Sequence, residues 1–358
     1  MKILQMISKN DRYGAQRIFL DQVDILHRMG HEVTVACRGS EGFVTDSARS
    51  IGVPYVGTSM KGFSALFFLR NFVKKNNIDV IHTTLDRADH MGLVAGRTTG
   101  VPVVSTNMVP RAHFSFRFMD RVAVLAEKQR PILLSRGVAP EKIVLIRPGI
   151  DVRRFAQPDP IRRNAWQKTL RTNERSIIFC HISSVIPRKA HEVSLEITAE
   201  CKKRGERPLL IIIGDPVNGA FYDMLRAKAE SFGITGNVHF TGWTAEVPEI
   251  LANSHFTILP SENEALGVVL MEGMAAGTPI VARAGEGGAE LIDEYGTGFL
   301  YRPEAGVSGL VDQLIALRHD EPRFSALSEK CRKIAAEAFS IERFGEKLLE
   351  LYQSVGAR

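Results

Sequence analysis

Four cysteines, Cys37, Cys180, Cys201 and Cys331, are scattered through the 358 residues with no Cys-x-x-Cys pair. That scarcity argues against a disulfide framework and a cysteine-held zinc, and reduced thiols are expected. No Asp-x-Asp pair and no His/Cys group at metal-ligand spacing occurs, so neither a metal nor a cofactor is expected. Residues 8–17 lack the Gly-x-Gly-x-x-Gly turn that a nicotinamide-dependent dehydrogenase needs after its first strand. Long apolar runs are missing too. Met1–Ile7 is broken by Ser8, Lys9, Asn10 and Asp11, too short for a secretory leader and far short of the roughly 20 residues that span a bilayer. A cytoplasmic protein is expected. Repeats and low-complexity tracts are absent as well.

What the chain does have is an uneven charge. Residues 1–163 carry 25 Lys and Arg against 14 Asp and Glu, a net +11, while the remainder holds 21 against 26, a net −5; together they give the overall +6. The basic half suits an anionic partner. Two stretches in it interleave basic and aromatic residues: Lys61–Lys75, with Phe63, Phe67, Phe68 and Phe72, and Arg111–Phe118, with His113, Phe114, Phe116 and Arg117. The first reads either as a docking surface or as an ordinary helix with Phe67, Phe68 and Phe72 on its core face. No nucleic-acid recognition motif accompanies the charge.

At this length two domains are expected. Continuous apolar runs alternate with helical patterns at Lys2–Ile7, Val33–Cys37, Val53–Val56, Val80–His82, Val103–Thr106, Val122–Leu125 and Val144–Ile146. Between the first two, Phe19, Val23 and Leu26 recur at helical spacing while Gln16, Asp24 and Arg28 fall elsewhere. A Pro- and Arg-rich stretch from Arg147 to Arg163 reads as a linker. The pattern restarts at Ile177–Ile182, Leu209–Ile213, Val238–Phe240, Phe256–Leu259 and Pro279–Val281, and turns wholly helical after about residue 306. The expectation is an α/β protein of two Rossmann-like, doubly wound parallel-sheet domains facing a central cleft, 1–160 and 161–339. A final helix, 340–358, capped by Ser340, would pack back towards the first domain.

One segment carries most of the chemistry, Pro260 to Pro279. A strand ends at Leu259, a polar loop holds Glu264, and a helix starts near Gly267 with Glu272 about 7–8 Å along it at 1.5 Å per residue. A helix N-terminus offers free amides and a positive dipole end to a diphosphate, and Gly267 allows close approach. Two carboxylates flanking such a site can accept hydroxyl hydrogen bonds on either side of the phosphates. Glu272, among Val269, Leu270, Met271 and Met274, would be costly there as a charge with no role.

This segment resembles the Glu-x7-Glu motif of the family-four retaining glycosyltransferases of the GT-B fold. The resemblance implies that Glu264 addresses the donor sugar, that Ala265, Leu266, Gly267 and Val268 line phosphate and sugar, and that Glu272 holds the ribose. Other marks follow in order along nearly the whole chain: Tyr13-Gly14-Ala15-Gln16-Arg17, Gly30-His31-Glu32-Val33, Arg147-Pro148-Gly149-Ile150-Asp151, and Gly287-Gly288-Ala289-Glu290. Gly14 sits at the second glycine of the family's first turn, whose first glycine is Tyr13 here; Tyr13 borders the acceptor. His31 is structural.

Ser183–His191 resembles the donor-phosphate loop, with Lys189 at the family lysine and Ser184 where an arginine is usual. Arg188 either restores that charge or points away. Thr241 and Gly242 match the loop flanking the base, and Trp243 beside them is expected to pack. The family histidine after the fifth strand aligns with Met108; His113, His82 and His90 are the substitutes. Arg111, His113 and Arg117 are the acceptor candidates.

The resemblance implies a retaining, metal-independent transfer of a hexose-type sugar from a nucleoside-diphosphate sugar, UDP- or GDP-linked, to a glycan or lipid-linked acceptor of the cell envelope, with Glu264, Lys189, Arg188 and His113 catalytic. Contact with an anionic membrane at its inner face is expected, and no nucleic acid. The departures at Tyr13, Met108 and Ser184 leave a catalytically weak or inactive nucleotide-sugar-binding protein as a rival, and a GT-B epimerase as another.

Overall fold

A computed structural model describes residues 1–170 and 175–357. The chain divides into two compact units, the first made of Met1–Gly149 with Ser340–Arg358, the second of Ile150–Phe339.

In chain order the first unit runs β1 (Lys2–Ile7), α1 (Gly14–Arg28), β2 (Glu32–Arg38), α2 (Phe43–Ile51), β3 (Tyr55–Thr58) and α3 (Gly62–Lys75). It continues through β4 (Val80–Thr84), α4 (Asp86–Thr99), β5 (Val103–Asn107), β6 (Arg121–Val124), α5 (Arg130–Ser135) and β7 (Ile143–Leu145). The second unit opens on α6 (Val152–Ala156) and α7 (Pro160–Leu170), so most of the expected linker is helical and groups with this unit. Then come β8 (Ser176–Ile182), α8 (His191–Lys203), β9 (Arg207–Ile213), α9 (Gly219–Ser231), β10 (Val238–Gly242), α10 (Val247–Leu251) and β11 (Phe256–Leu259). It ends with α11 (Val268–Ala276), β12 (Ile280–Arg283), α12 (Gly287–Tyr295), β13 (Gly298–Tyr301), α13 (Ser308–His319) and α14 (Glu321–Ala338); α15 (Ile341–Gln353) returns to the first unit.

Both sheets are wholly parallel among the described residues. Their orders are β3-β2-β1-β4-β5-β6-β7 and β10-β9-β8-β11-β12-β13. Strands covered on both faces need apolar residues at successive positions. Ile3, Leu4, Met6 and Ile7 in β1, and Ile177, Phe179 and Cys180 in β8, are accordingly buried. The four cysteines are free and buried. In each sheet the order reverses once, between β1 and β4 and between β8 and β11, and ligands of open α/β sheets bind beyond the carboxyl ends at such points.

Two sequence readings need correction. Gln16 is buried rather than outward, with its side chain donating to Asp11. The edge strand β13 was not anticipated: it is short and begins at Gly298, where a Cβ would collide with the Ile280 carbonyl of β12. Ser340 caps α15 by accepting from the Arg343 amide at 3.3 Å. Helix α15 is tied to its sheet by a buried network. Gln5 Nε2 donates to the Tyr352 hydroxyl at 2.9 Å, His82 Nδ1 lies 2.7 Å from that hydroxyl, and His82 Nε2 lies 2.7 Å from Thr106 Oγ1.

Candidate functional site

The reversal between β8 and β11 brings two loops together. After β8 the backbone passes Ser183 and Ser184 into a single 3-10 turn, Pro187–Lys189, before α8. After β11 it makes a loop ending at Gly267, the N-cap of α11. Lys189 Nζ donates to Glu264 Oε2, and Arg188 Nη1 stands 3.7 Å from the same oxygen. Arg188 therefore points towards Glu264 rather than away. The Lys189 and Glu264 side chains are only 14% and 16% exposed, which makes this pair a preorganised feature rather than a surface ion pair. Burial pulls the Lys189 pKa below the usual lysine range, and Glu264 opposes that shift by stabilising the ammonium.

The loop is held by its backbone. The Glu286 carboxylate accepts from the amides of Asn263 at 3.0 Å and Glu264 at 2.9 Å, and the Glu262 amide donates to the Arg188 carbonyl at 2.8 Å. Gly267 has φ 85°, and a Cβ there would lie 2.6 Å from Leu259 Cδ2, so both conformation and space call for glycine. Gly287 is required by proximity alone, since a Cβ would run into the Ala265 carbonyl. Ala265 and Leu266 are buried, Val268 half-buried, and Glu272 buried at 5% inside α11. Leu270 N–H donates to the Gly267 carbonyl at 2.9 Å, which leaves the first two amides of α11, those of Val268 and Val269, as the helix-start donors without an intrahelical acceptor beside the Lys189–Glu264 pair.

Beneath the Lys189 loop, His181 and His191 stack with ring centroids 4.0 Å apart, and Ser183 Oγ lies 3.1 Å from His181 Nε2 and 3.2 Å from His191 Nε2. Burial holds both rings neutral, His191 down to about 3 and His181 well below its usual value. Ser184 carries no charge to replace the family arginine. Thr241 and Gly242 end β10 at the sheet edge, two strands from β8. The Thr241 hydroxyl turns inward to the Gly242 carbonyl at 2.7 Å. Trp243, expected to pack, is 54% exposed, with its amide donating to Asp215 at 2.9 Å.

In the first unit a pocket of about 210 Å³ lies beyond β4 and β5, lined by Asp86, Asp89, Asn107, Met108, Arg111 and His113 among others. His113 is fixed at both ring nitrogens, Nε2 at 3.0 Å from Asp89 Oδ2 and Nδ1 at 2.5 Å from Ser115 Oγ. Asp89, 1% exposed, also accepts from the hydroxyls of Thr83 at 2.6 Å and Ser105 at 2.7 Å. Asp86, Asp89 and His113 place ligand atoms within 4.8 Å of one another, a grouping that no sequence spacing announced, although Asp89 is already satisfied by these hydrogen bonds. The Asn107 amide, buried, keeps an Nδ2 with no partner at this pocket.

Of the other histidines, His82 is wholly buried in the Tyr352 network and pushed down to about 3, while His90 is exposed and stacks on His113 at 5.1 Å. His31 meets the N-terminal amine at 3.3 Å. Tyr13, 53% exposed, precedes Gly14 at the start of α1, and Arg117 lies over Phe114; none of these three lines the pocket.

Two family models match consecutive parts of the chain, "Glycosyltransferase Family 4" over residues 13–154 and "Glycosyl transferases group 1" over residues 162–338. The chain belongs to the family-four glycosyltransferases. Its two parallel-sheet units give the GT-B fold, and it is an enzyme of that class. The transferase is 23% identical, over 95% of its length and 93% of the relative's, to a UDP-Gal:α-D-GlcNAc-diphosphoundecaprenol α-1,3-galactosyltransferase of Escherichia coli. It is 28% identical over 57% of its length to a GDP-mannose-dependent α-(1-6)-phosphatidylinositol monomannoside mannosyltransferase of Mycobacterium tuberculosis, of which it spans about half (54%). Among solved structures, Anabaena HepE in complex with UDP superposes with a TM-score of 0.87 at 19% identity, covering 99% of this chain and 100% of that one.

The residues that sequence reasoning missed are those acting from a distance. Glu286 precedes the Gly287-Gly288 pair, which was the available hint. Asp89 had none, being one ordinary acid in a helical pattern.

Proposed function

We propose that this transferase moves a hexose-type sugar from a UDP- or GDP-sugar to a lipid-linked or other cell-envelope glycan acceptor, with retention of configuration and without a metal, at the inner face of a membrane. The observation that carries the reading is the buried Lys189–Glu264 pair, with Arg188 beside it, at the open N-terminus of α11. The UDP-bound Anabaena neighbour, the GDP-mannose-dependent mycobacterial relative and the undecaprenol-linked substrate named for the E. coli relative support it.

The donor diphosphate sits against the α11 amides, with Glu272 accepting from ribose hydroxyls and Glu264 from hydroxyls of the sugar. As the bond from the anomeric carbon to the diphosphate oxygen breaks, charge develops on the diphosphate. Lys189, Arg188 and the helix N-terminus stabilise that charge without reorganising. The acceptor oxygen bonds the same face of the anomeric carbon and its proton passes to the departing diphosphate, so no protein nucleophile is needed. Acceptor hydroxyls meet His113, Arg111 and Asn107 in the pocket of the first unit.

Incubation with a panel of nucleotide-sugars tests this. Release of nucleoside diphosphate, unchanged in excess chelator, and a loss of about 10²–10³ in turnover for Lys189→Ala are expected, the usual effect of removing one preorganised stabiliser. Binding without release would favour the inactive-binder reading, and rescue of a chelated enzyme by manganese would remove the metal-independent mechanism.

A further inference from the structure

Helix α3 turns Ala65, Leu69 and Val73 inward, all nearly inaccessible, and presents Phe63, Phe67 and Phe68 outward at 91%, 64% and 43% exposure. The reading that put Phe67, Phe68 and Phe72 on a core face fails for the first two and holds for Phe72, which is half-buried against the core. Helix α3 packs on α4, which packs in turn on the 3-10 helix Phe114–Phe118. Along these three elements Val94, Phe114 and Phe118 are exposed as well. Among the described residues, six phenylalanines are exposed as large apolar groups, and five of them lie here. Single exposed apolar residues are ordinary; a run across three packed elements marks an interaction surface.

The charge on α3 is of one sign, and the exposed acid of the neighbouring helix, Asp86, stands at the far start of α4 beside His113. Residues 62–75 contain no acid, and Lys61, Arg70, Lys74 and Lys75 flank the aromatic ridge. On the 3-10 helix the Arg117 guanidinium lies 5.1 Å over the Phe114 ring, and Lys142 Nζ donates to the Arg117 carbonyl at 3.0 Å. No helix among the described residues is long and apolar enough to cross a membrane, so contact of this face with lipid would be peripheral.

We infer that the α3–α4 face and the adjoining 3-10 helix form a docking surface for an anionic bilayer. Phe63, Phe67 and Phe114 enter the headgroup boundary while the lysines stay at the phosphates. Aromatic side chains suit that boundary, and basic residues ringing an apolar face are what an anionic lipid surface selects. The same 3-10 helix supplies Phe116 to the pocket that holds His113, so docking sets that pocket at the membrane surface. The inference rests on the lipid-linked acceptor reading and gives it a place.

The test uses the full chain with phosphatidylcholine vesicles, with and without phosphatidylglycerol. Co-sedimentation with the anionic vesicles alone, fading as salt screens the charges, is expected. Phe63→Ser with Phe67→Ser should weaken it about tenfold or more, since two exposed rings lose their apolar contact. The same variant should keep its circular dichroism and its nucleoside diphosphate release from donor. Phe67→Trp should give an indole emission that shifts to the blue on anionic vesicles only. Equal binding to neutral vesicles, no binding at low salt, indifference to the Phe63/Phe67 change, or a dimer of the chain that this change dissolves would each overturn the surface. Donor turnover without vesicle binding removes the surface and leaves the transferase; vesicle binding without turnover does the reverse.

Discussion

The two units share one architecture and use it in opposite ways. The first carries 24 Lys and Arg against 15 Asp and Glu, the second 22 against 25. In the first, the basic groups and most exposed phenylalanines lie outside, and apart from the buried Asp89 the interior polar centre is a neutral network of Gln5, His82, Thr106 and Tyr352. In the second, ionisable groups go inward: Lys189 meets Glu264, Glu272 is buried in α11, and His181, His191 and His255 are held neutral. A doubly wound sheet dictates where a site forms, at its reversal. The side chains placed there decide whether the unit pays for chemistry inside or for contact outside.

The largest test of that difference is acid. His191 and His255 are depressed by burial to about 3 and about 4, and His181 well below its usual value. A ring whose folded pKa lies below its unfolded one adds no pH dependence above about 6.5. Below that the unfolded chain takes up the proton first, so stability falls until the folded pKa is reached, by about 1.4 kcal/mol per pH unit for each ring. Three such rings act in the second unit; in the first, His82 is depressed to about 3 and His31, partly buried, is lowered as well. Hydrogen exchange at falling pH should therefore open the second unit first; simultaneous opening would erase the contrast.

Next in size is Glu272→Ala, which should weaken nucleotide binding ten- to a hundredfold, about 1.5–3 kcal/mol for a lost hydrogen bond to a charged group. Titration with nucleoside diphosphate measures it, and the first unit's exchange protection should not move. Unchanged affinity would take the ribose role from Glu272. The smallest effect belongs to the first unit. Tyr352→Phe removes the hydroxyl shared by Gln5 and His82 and should cost about 1–3 kcal/mol in that unit, read from its unfolding midpoint, with donor turnover unaffected. A shift felt equally by β8 and β11 would mean the network is not local.

Much of the fold was legible because strand and helix announce themselves locally. The apolar runs of β1 and β11 are found to the residue, and the Ser340 cap needs only its neighbours. Misses fall where meaning came from outside the segment. Arg147–Arg163 read as a linker by composition, yet α6 and α7 form against the second unit. Phe67 and Phe68 share a helix with Leu69, and periodicity alone did not say which stripe meets α4. Trp243 was expected to pack because aromatics usually find cover, yet more than half of it is exposed.

By itself, the sequence determined the alternation that winds two parallel sheets, and the spacing of Glu264 and Glu272, because helix rise fixes how far apart two residues on one short segment stand. Tertiary structure alone decided that Lys189 reaches Glu264 across 75 residues, that Glu286 pins the Glu264 loop, that Asp89 and Ser115 fix His113, and that the phenylalanines of α3 stay uncovered. Each depends on which loops the strand order makes neighbours, and sheet order is set by long-range packing that no local period records.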